Sequence, residues 1–196
     1  FRSGYDNLIS TIPLNTLAGM VRPSNPTLKS LAKKLKYNSV LCVWVTVKNI
    51  VPEKCHWLYF PESKYPFSRL YFQHNFSKNI APKGRSVVGA IFTYMGSSPD
   101  VKEVKKRLIA KLIEMKILGS DKEVDFVDHV KMEFGFCIPT VGSSAISSKI
   151  RLELKKKDIY SIGRYGEWKY SGMEHALEDG YKIAAKLKKE ELIRND

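Results

Sequence analysis

Thiols are scarce: three cysteines, Cys42, Cys55 and Cys137, lie far apart and are odd in number. No CxxC occurs, so neither a disulfide framework nor a zinc ribbon is expected, and a reducing, cytoplasmic setting fits. His56, His74, His129 and His175 show no metal-ligand spacing, and no metal is expected. No run reaches the ~18 apolar residues that a membrane helix requires, so no membrane partner is expected. The opening "FRSGYDNLIS" lacks the apolar core and small-residue cleavage site of a signal peptide. It also lacks an initiator Met, and the chain is expected to be a piece of something longer. Neither GxGxxG nor GxxxxGK[ST] is found, so the dinucleotide fingerprint and the P-loop are both missing.

Acidic residues are in deficit. Thirty-three Lys and Arg face 20 Asp and Glu, a net charge of +13 over 196 residues. Such a surface suits nucleic acid, an anionic membrane or a phosphorylated ligand. The lysines of "LKSLAKKLKY", "VKEVKKRLIAKL" and "AAKLKKEEL" fall on polar faces of amphipathic helices, which is the ordinary habit of a solvated face. A basic module that binds nucleic acid or an acidic partner without catalysis is therefore the alternative. It lacks any recognised binding motif, and nucleic acid is not the expected partner.

Hydrophobic periodicity sets out the elements. "YDNLISTIPL" predicts a buried strand ended by Pro13. "NPTLKSLAKKLKY" predicts a helix with Leu28, Leu31, Ala32 and Leu35 on one face and Thr27 as N-cap. Residues 39–49, apolar on both faces, predict a central strand; 56–60, 68–76 and 85–95 predict three more. After Pro99 comes the clearest helix, with an Asp100/Glu103 capping box, a stripe of Val101, Val104, Leu108 and Leu112, and Gly119 at its end. Residues 123–139 predict a strand pair or one long strand, 141–157 a loop and short helix, and 158–166 a last strand. A last helix follows, with Met173, Ala176, Leu177, Ala184 and Leu187 facing inward. The expected class is α+β: a mainly antiparallel sheet of about five or six strands with helices on one face.

Two stretches carry chemistry. In "IGRYGEWKYSGMEHAL" a strand meets a helix across Gly163 and Gly172, with Arg164 and Lys169 for anions and Trp168 and Tyr170 as flat faces. The bland alternative is a strand–turn–helix sealed by aromatics. In "YPFSRLYFQHNF" Arg69 stands between Phe67 and Tyr71 at period two, and the three are expected on one strand face. A charge there needs a partner: either a structural carboxylate or a bound anion.

Both stretches resemble UDP-galactopyranose mutase and its relatives in the flavin-containing amine oxidase and protoporphyrinogen oxidase superfamily. The mutase motif has the form Gly-Arg-(aromatic or Leu)-Gly-x-aromatic-(Arg or Lys)-Tyr-x-Asp-Met. Residues 163–173, "GRYGEWKYSGM", follow it except at Gly172, where the motif has Asp. "YPFSRLYFQHNF" resembles the mutases' Pro-aromatic-Thr-Arg segment with its following His and Phe. "LISTIPL" and "CIPTVG" are similar to flanking segments, so the resemblance covers nearly the whole chain.

The resemblance implies a parent flavoprotein using FAD, whose glycine-rich FAD-binding segment would lie upstream as a missing N-terminal partner. This chain would not hold FAD alone. Residues 1–20 would be a strand and connection from the FAD domain, 21–157 the substrate-binding domain, and 158–196 the closing strand and helix of the Rossmann-like FAD domain. Gly163, Gly172 and Met173 would lie against the cofactor. Arg69, Arg164 and Tyr170 would hold a small-molecule substrate such as a nucleotide sugar. No residue is expected to be catalytic in its own right: no nucleophile–base pair stands out, which suits a site where the cofactor reacts. Mutase and oxidase chemistry stay open, as does a stand-alone sugar-nucleotide binder.

Overall fold

The structure, a computed structural model, describes residues 4–77 and 79–195. In chain order come β1 (Leu8–Ser10), α1 (Leu14–Met20), α2 (Pro26–Lys33), β2 (Lys36–Val47), β3 (Trp57–Tyr59), β4 (Arg69–Phe72) and β5 (Ser86–Tyr94). They are followed by α3 (Val101–Glu114), β6 (Val124–Ile138), α4 (Ser143–Lys155), β7 (Ile159–Ser161), α5 (Gly163–Gly166) and α6 (Met173–Asn195). The fold is α+β. Five strands form one sheet in the order β3-β4-β5-β2-β6, and β1 pairs with β7 in a separate parallel pair. β2 with β5, β5 with β4, and β4 with β3 run antiparallel.

By its internal contacts the chain divides into two compact units, residues 38–135 and residues 1–37 together with 136–196. The expected divisions after 20 and 157 differ: α2 and α4 fall with the terminal segments.

Within 38–135, strand alternation builds the core. Leu41, Val43, Val45 and Val47 of β2 meet Leu70 and Phe72 of β4 and Val88, Ala90 and Phe92 of β5 on one face. α3 covers that face with Leu108 and Leu112, both fully buried. Each such leucine contributes roughly 2 kcal/mol by leaving water. Asp100 caps α3 by accepting from the Lys102 N–H at 2.8 Å. The expected capping box does not close, because Glu103 pairs with Arg107 instead. Nor does Gly119 end the helix: Lys116, at φ 60°, already turns the chain. The 123–139 segment is one long strand, β6.

In the other unit α1, α2 and α4 pack together, burying Leu14, Leu17, Leu28, Ile150 and Leu154. Asn25, not Thr27, caps α2. Its side chain accepts from the Leu28 N–H at 3.1 Å, and Pro26 occupies the first turn, where its missing N–H costs nothing. α1 was not expected; Pro13 before Leu14, Leu17 and Ala18 at helical spacing makes it. Residues 163–166 form a helical turn, not an extension of β7. The inward face of α6 is also corrected. Met173 is 86% and Leu177 68% exposed, while Asp179 and Ile183 are buried.

Candidate functional site

Arg164 stands on α5, and its guanidinium lies among aromatic rings: 4.7 Å from the Tyr170 centroid, 5.3 Å from Phe136 and 5.9 Å from Tyr165. Its Nη1 donates to the Ser171 carbonyl at 3.0 Å. Nε and Nη2 are buried and have no partner among the described residues. A guanidinium held by ring faces but short of acceptors is poised to take an oxyanion, since an unsatisfied buried donor is costly. Cys137 is adjacent, its Sγ 3.8 Å from the Arg164 carbonyl oxygen. Burial pushes that thiol's pKa up to about 11 despite the guanidinium, so it is no nucleophile at neutral pH.

The structure gathers Gly163, Arg164, Tyr170, Gly172 and Met173 in one unit and places Arg69 in the other. Gly163 has φ +79°, and nothing lies within 4 Å of where a Cβ would stand, so its need for glycine is conformational and its backbone is open to approach. The Gly172 N–H is engaged by His175 Nδ1 at 3.3 Å. Tyr170 and Met173 are strongly exposed. Lys169 is not free for an anion: it bridges Glu167 at 2.7 Å and Asp179 at 2.8 Å. Trp168 is 6% exposed and meets Tyr37 edge-on at 6.2 Å, so it seals the core and offers no free face.

Arg69 lies over the Tyr59 ring at 4.4 Å, as the cross-strand register Tyr59↔Arg69 dictates. Phe67 does not share its face: it precedes β4 and is buried in the core. No carboxylate pairs with Arg69 among the described residues, so the structural salt bridge is not formed. Arg69 opens onto a cleft of about 750 Å³ lined by Trp57, Tyr71, Gln73, Phe76, Ile80 and Ile91. Tyr71 hydrogen-bonds Cys42; burial first, and that neighbour second, raise its pKa. A Cβ at Gly89 would run into the Tyr71 ring, so this glycine makes the room. Tyr59 and Phe136 were not singled out from the sequence. Alternation with Trp57 marks Tyr59, and an isolated glycine within a strand marks Gly89, but nothing local marks Phe136.

The backbone at Gly163 is open and Met173 is exposed, so both are accessible to a ligand, while the sequence holds no GxGxxG turn for a dinucleotide's phosphates.

The fold is similar to that of solved flavoenzyme structures, in keeping with the resemblance read from the sequence. No family model matches the chain. Among solved structures, a reduced UDP-galactopyranose mutase matches at TM-score 0.79 and 27% identity, over 86% of this chain and 37% of its own. A protoporphyrinogen oxidase-like protein from Exiguobacterium sp. 255-15 matches at TM-score 0.72 and 17% identity, over 94% of this chain and 41% of its own. The chain thus spans less than half the length of either.

Proposed function

We propose that this chain is the substrate-binding part of an FAD-dependent enzyme, an oxidoreductase or a UDP-galactopyranose mutase-like isomerase, acting on an anionic small molecule such as a nucleotide sugar. The observation that carries the reading is Arg164, whose buried Nε and Nη2 lack partners inside a ring of aromatics. Arg164 would grip a substrate phosphate, with Tyr170 against it; Arg69, in the other unit, would be an anion contact in its own right. Gly163 and Met173 would bound one side of the flavin. Gly172, which lacks the carboxylate of the mutase motif, would give it no side-chain contact. FAD, when bound, supplies hydride or nucleophilic chemistry at its ring; the residues here bind and orient.

The test is titration of UDP-galactose into the product of the complete reading frame, alongside its visible spectrum. Flavin bands are expected, and Arg164→Met should weaken binding by about tenfold or more, the loss of one charge-assisted contact of ~1.5–3 kcal/mol. Binding unchanged in both Arg164→Met and Arg69→Ala would sink the site assignment.

A further inference from the structure

The turn that carries Arg164 is held in a conformation its own residues do not favour. The chain leaves α5 through Trp168, at φ 56°. Glycine is the residue that usually ends a helix in the left-handed region. A bulky indole there is an outlier, and it persists only where its surroundings over-determine it. Its buried side chain, edge-on to Tyr37, is one such constraint. Two backbone bonds close the reversal: the Glu167 N–H donates to the Gly163 carbonyl at 2.8 Å, and the Lys169 N–H to the Arg164 carbonyl at 3.0 Å. The chain then returns over Arg164, whose Nη1 donates to the Ser171 carbonyl at 3.0 Å and whose guanidinium lies 4.7 Å from the Tyr170 ring centroid.

Two anchors fix this turn from outside. From α4 the Ser147 hydroxyl donates to the Glu167 carbonyl at 2.6 Å. From α6 comes Asp179, a buried carboxylate that accepts from the Lys169 ammonium at 2.8 Å. The same ammonium takes the Glu167 carboxylate of the turn itself at 2.7 Å. A buried carboxylate must keep its cation, so the pair ties Lys169, between the strained Trp168 and Tyr170, to the frame of α6. We propose that Asp179, acting through Lys169, is a positioning residue for the arginine site: it holds the 163–172 turn closed, so that the Tyr170 ring and the Ser171 carbonyl orient the Arg164 guanidinium before an anion arrives. This rests on the reading of Arg164 as an anion contact. A group oriented in advance binds more tightly, because less freedom is lost on binding.

The experiment takes the product of the complete reading frame and compares Asp179→Asn with Glu178→Gln. The second variant removes an equal charge from an exposed pair with Lys182 on the same helix. Amide hydrogen exchange read by mass spectrometry reports the turn, and calorimetric titration with UDP-galactose reports the site. Asp179→Asn should speed exchange across 163–172 by about tenfold or more beyond any change in the amides of α4, and should weaken UDP-galactose binding by about tenfold. Glu178→Gln should do neither. Lys169→Arg, which keeps the cation, should stay near the unaltered protein, whereas Lys169→Met should behave as Asp179→Asn. Equal acceleration in α4 and the turn would make Asp179 a general support of the fold and overturn the positioning role. So would an unchanged turn, or a loosened turn that binds UDP-galactose as tightly as before. The reading of Arg164 fails separately: an unaltered protein that does not bind UDP-galactose, with the turn still loosened in Asp179→Asn, would remove the anion and uphold the hold of Asp179 on the turn.

Discussion

Gly163 sits at φ +79° with free space where a side chain would be. Only the backbone demands glycine there, so Gly163→Ala should cost about 1–2 kcal/mol, the penalty of the left-handed region for an L-residue. Chemical denaturation will read it as a lower midpoint at unchanged slope. Gly89 is the opposite case: its φ is ordinary and its space is taken by Tyr71. Gly89→Ala should destabilise by ~1–3 kcal/mol through overpacking, and Gly89→Ala with Tyr71→Leu should recover most of that loss in the same assay. Residues of this kind are only half legible in a sequence. "GRYGEWKY" announces an arginine followed by aromatics, and the rings of Tyr165 and Tyr170 do lie beside its guanidinium. Phe136 completes the set from a strand far upstream, which no local pattern could reveal. Trp168 and Lys169 looked equally available in the sequence, yet one is spent on packing and the other on carboxylates.

Helix α6 shows the same division at the scale of an element. Its existence was legible, but its inward face was not, because a charged residue, Asp179, is buried there while Met173 and Leu177 are exposed. Lys169 donates to Asp179, which is 8% exposed, so the carboxylate on that face has a partner. Burial alone would lower the pKa of Lys169, but hydrogen bonds to Asp179 and Glu167 outweigh it, and the value is raised. The stabilisation is therefore complete below the ordinary lysine value of 10.5 and lost as pH climbs through the higher folded value. Thermal melts from neutral to strongly alkaline pH should show this loss. Lys169→Met should lower stability at neutral pH by roughly 1–3 kcal/mol, since it strands a buried carboxylate, and should flatten the alkaline decline. Helix α3 was legible in its existence and core stripe because that pattern is long and consistent, though not in its end, and the 123–139 segment, left open as a strand pair or one strand, is the single strand β6; α1 escaped because seven residues after a proline give little periodicity to see.

At the scale of the molecule, residues 38–135 own a complete hydrophobic core, from Leu41 on β2 to Leu118 beyond α3. Residues 36–138, which keep both long strands whole, should therefore fold alone, with a cooperative melt and dispersed amide resonances. The α+β class and its antiparallel sheet were legible because alternation and turn residues are local signals. The apportioning of α2 and α4 to the terminal segments was not, because it depends on long-range packing. Met173, Leu177 and Tyr181 leave α6 with an apolar stripe in solvent. Leu177→Lys should change stability by less than about 0.5 kcal/mol, read by chemical denaturation.

The ring of Tyr71 and the bare backbone of Gly89 occupy one volume between them. Across homologues, an aromatic at 71 should therefore accompany glycine at 89, while a small residue at 71 frees 89 to vary. The two positions should drift through evolution as a pair, and their joint substitution pattern would record how long the bond between Tyr71 and Cys42 has been kept.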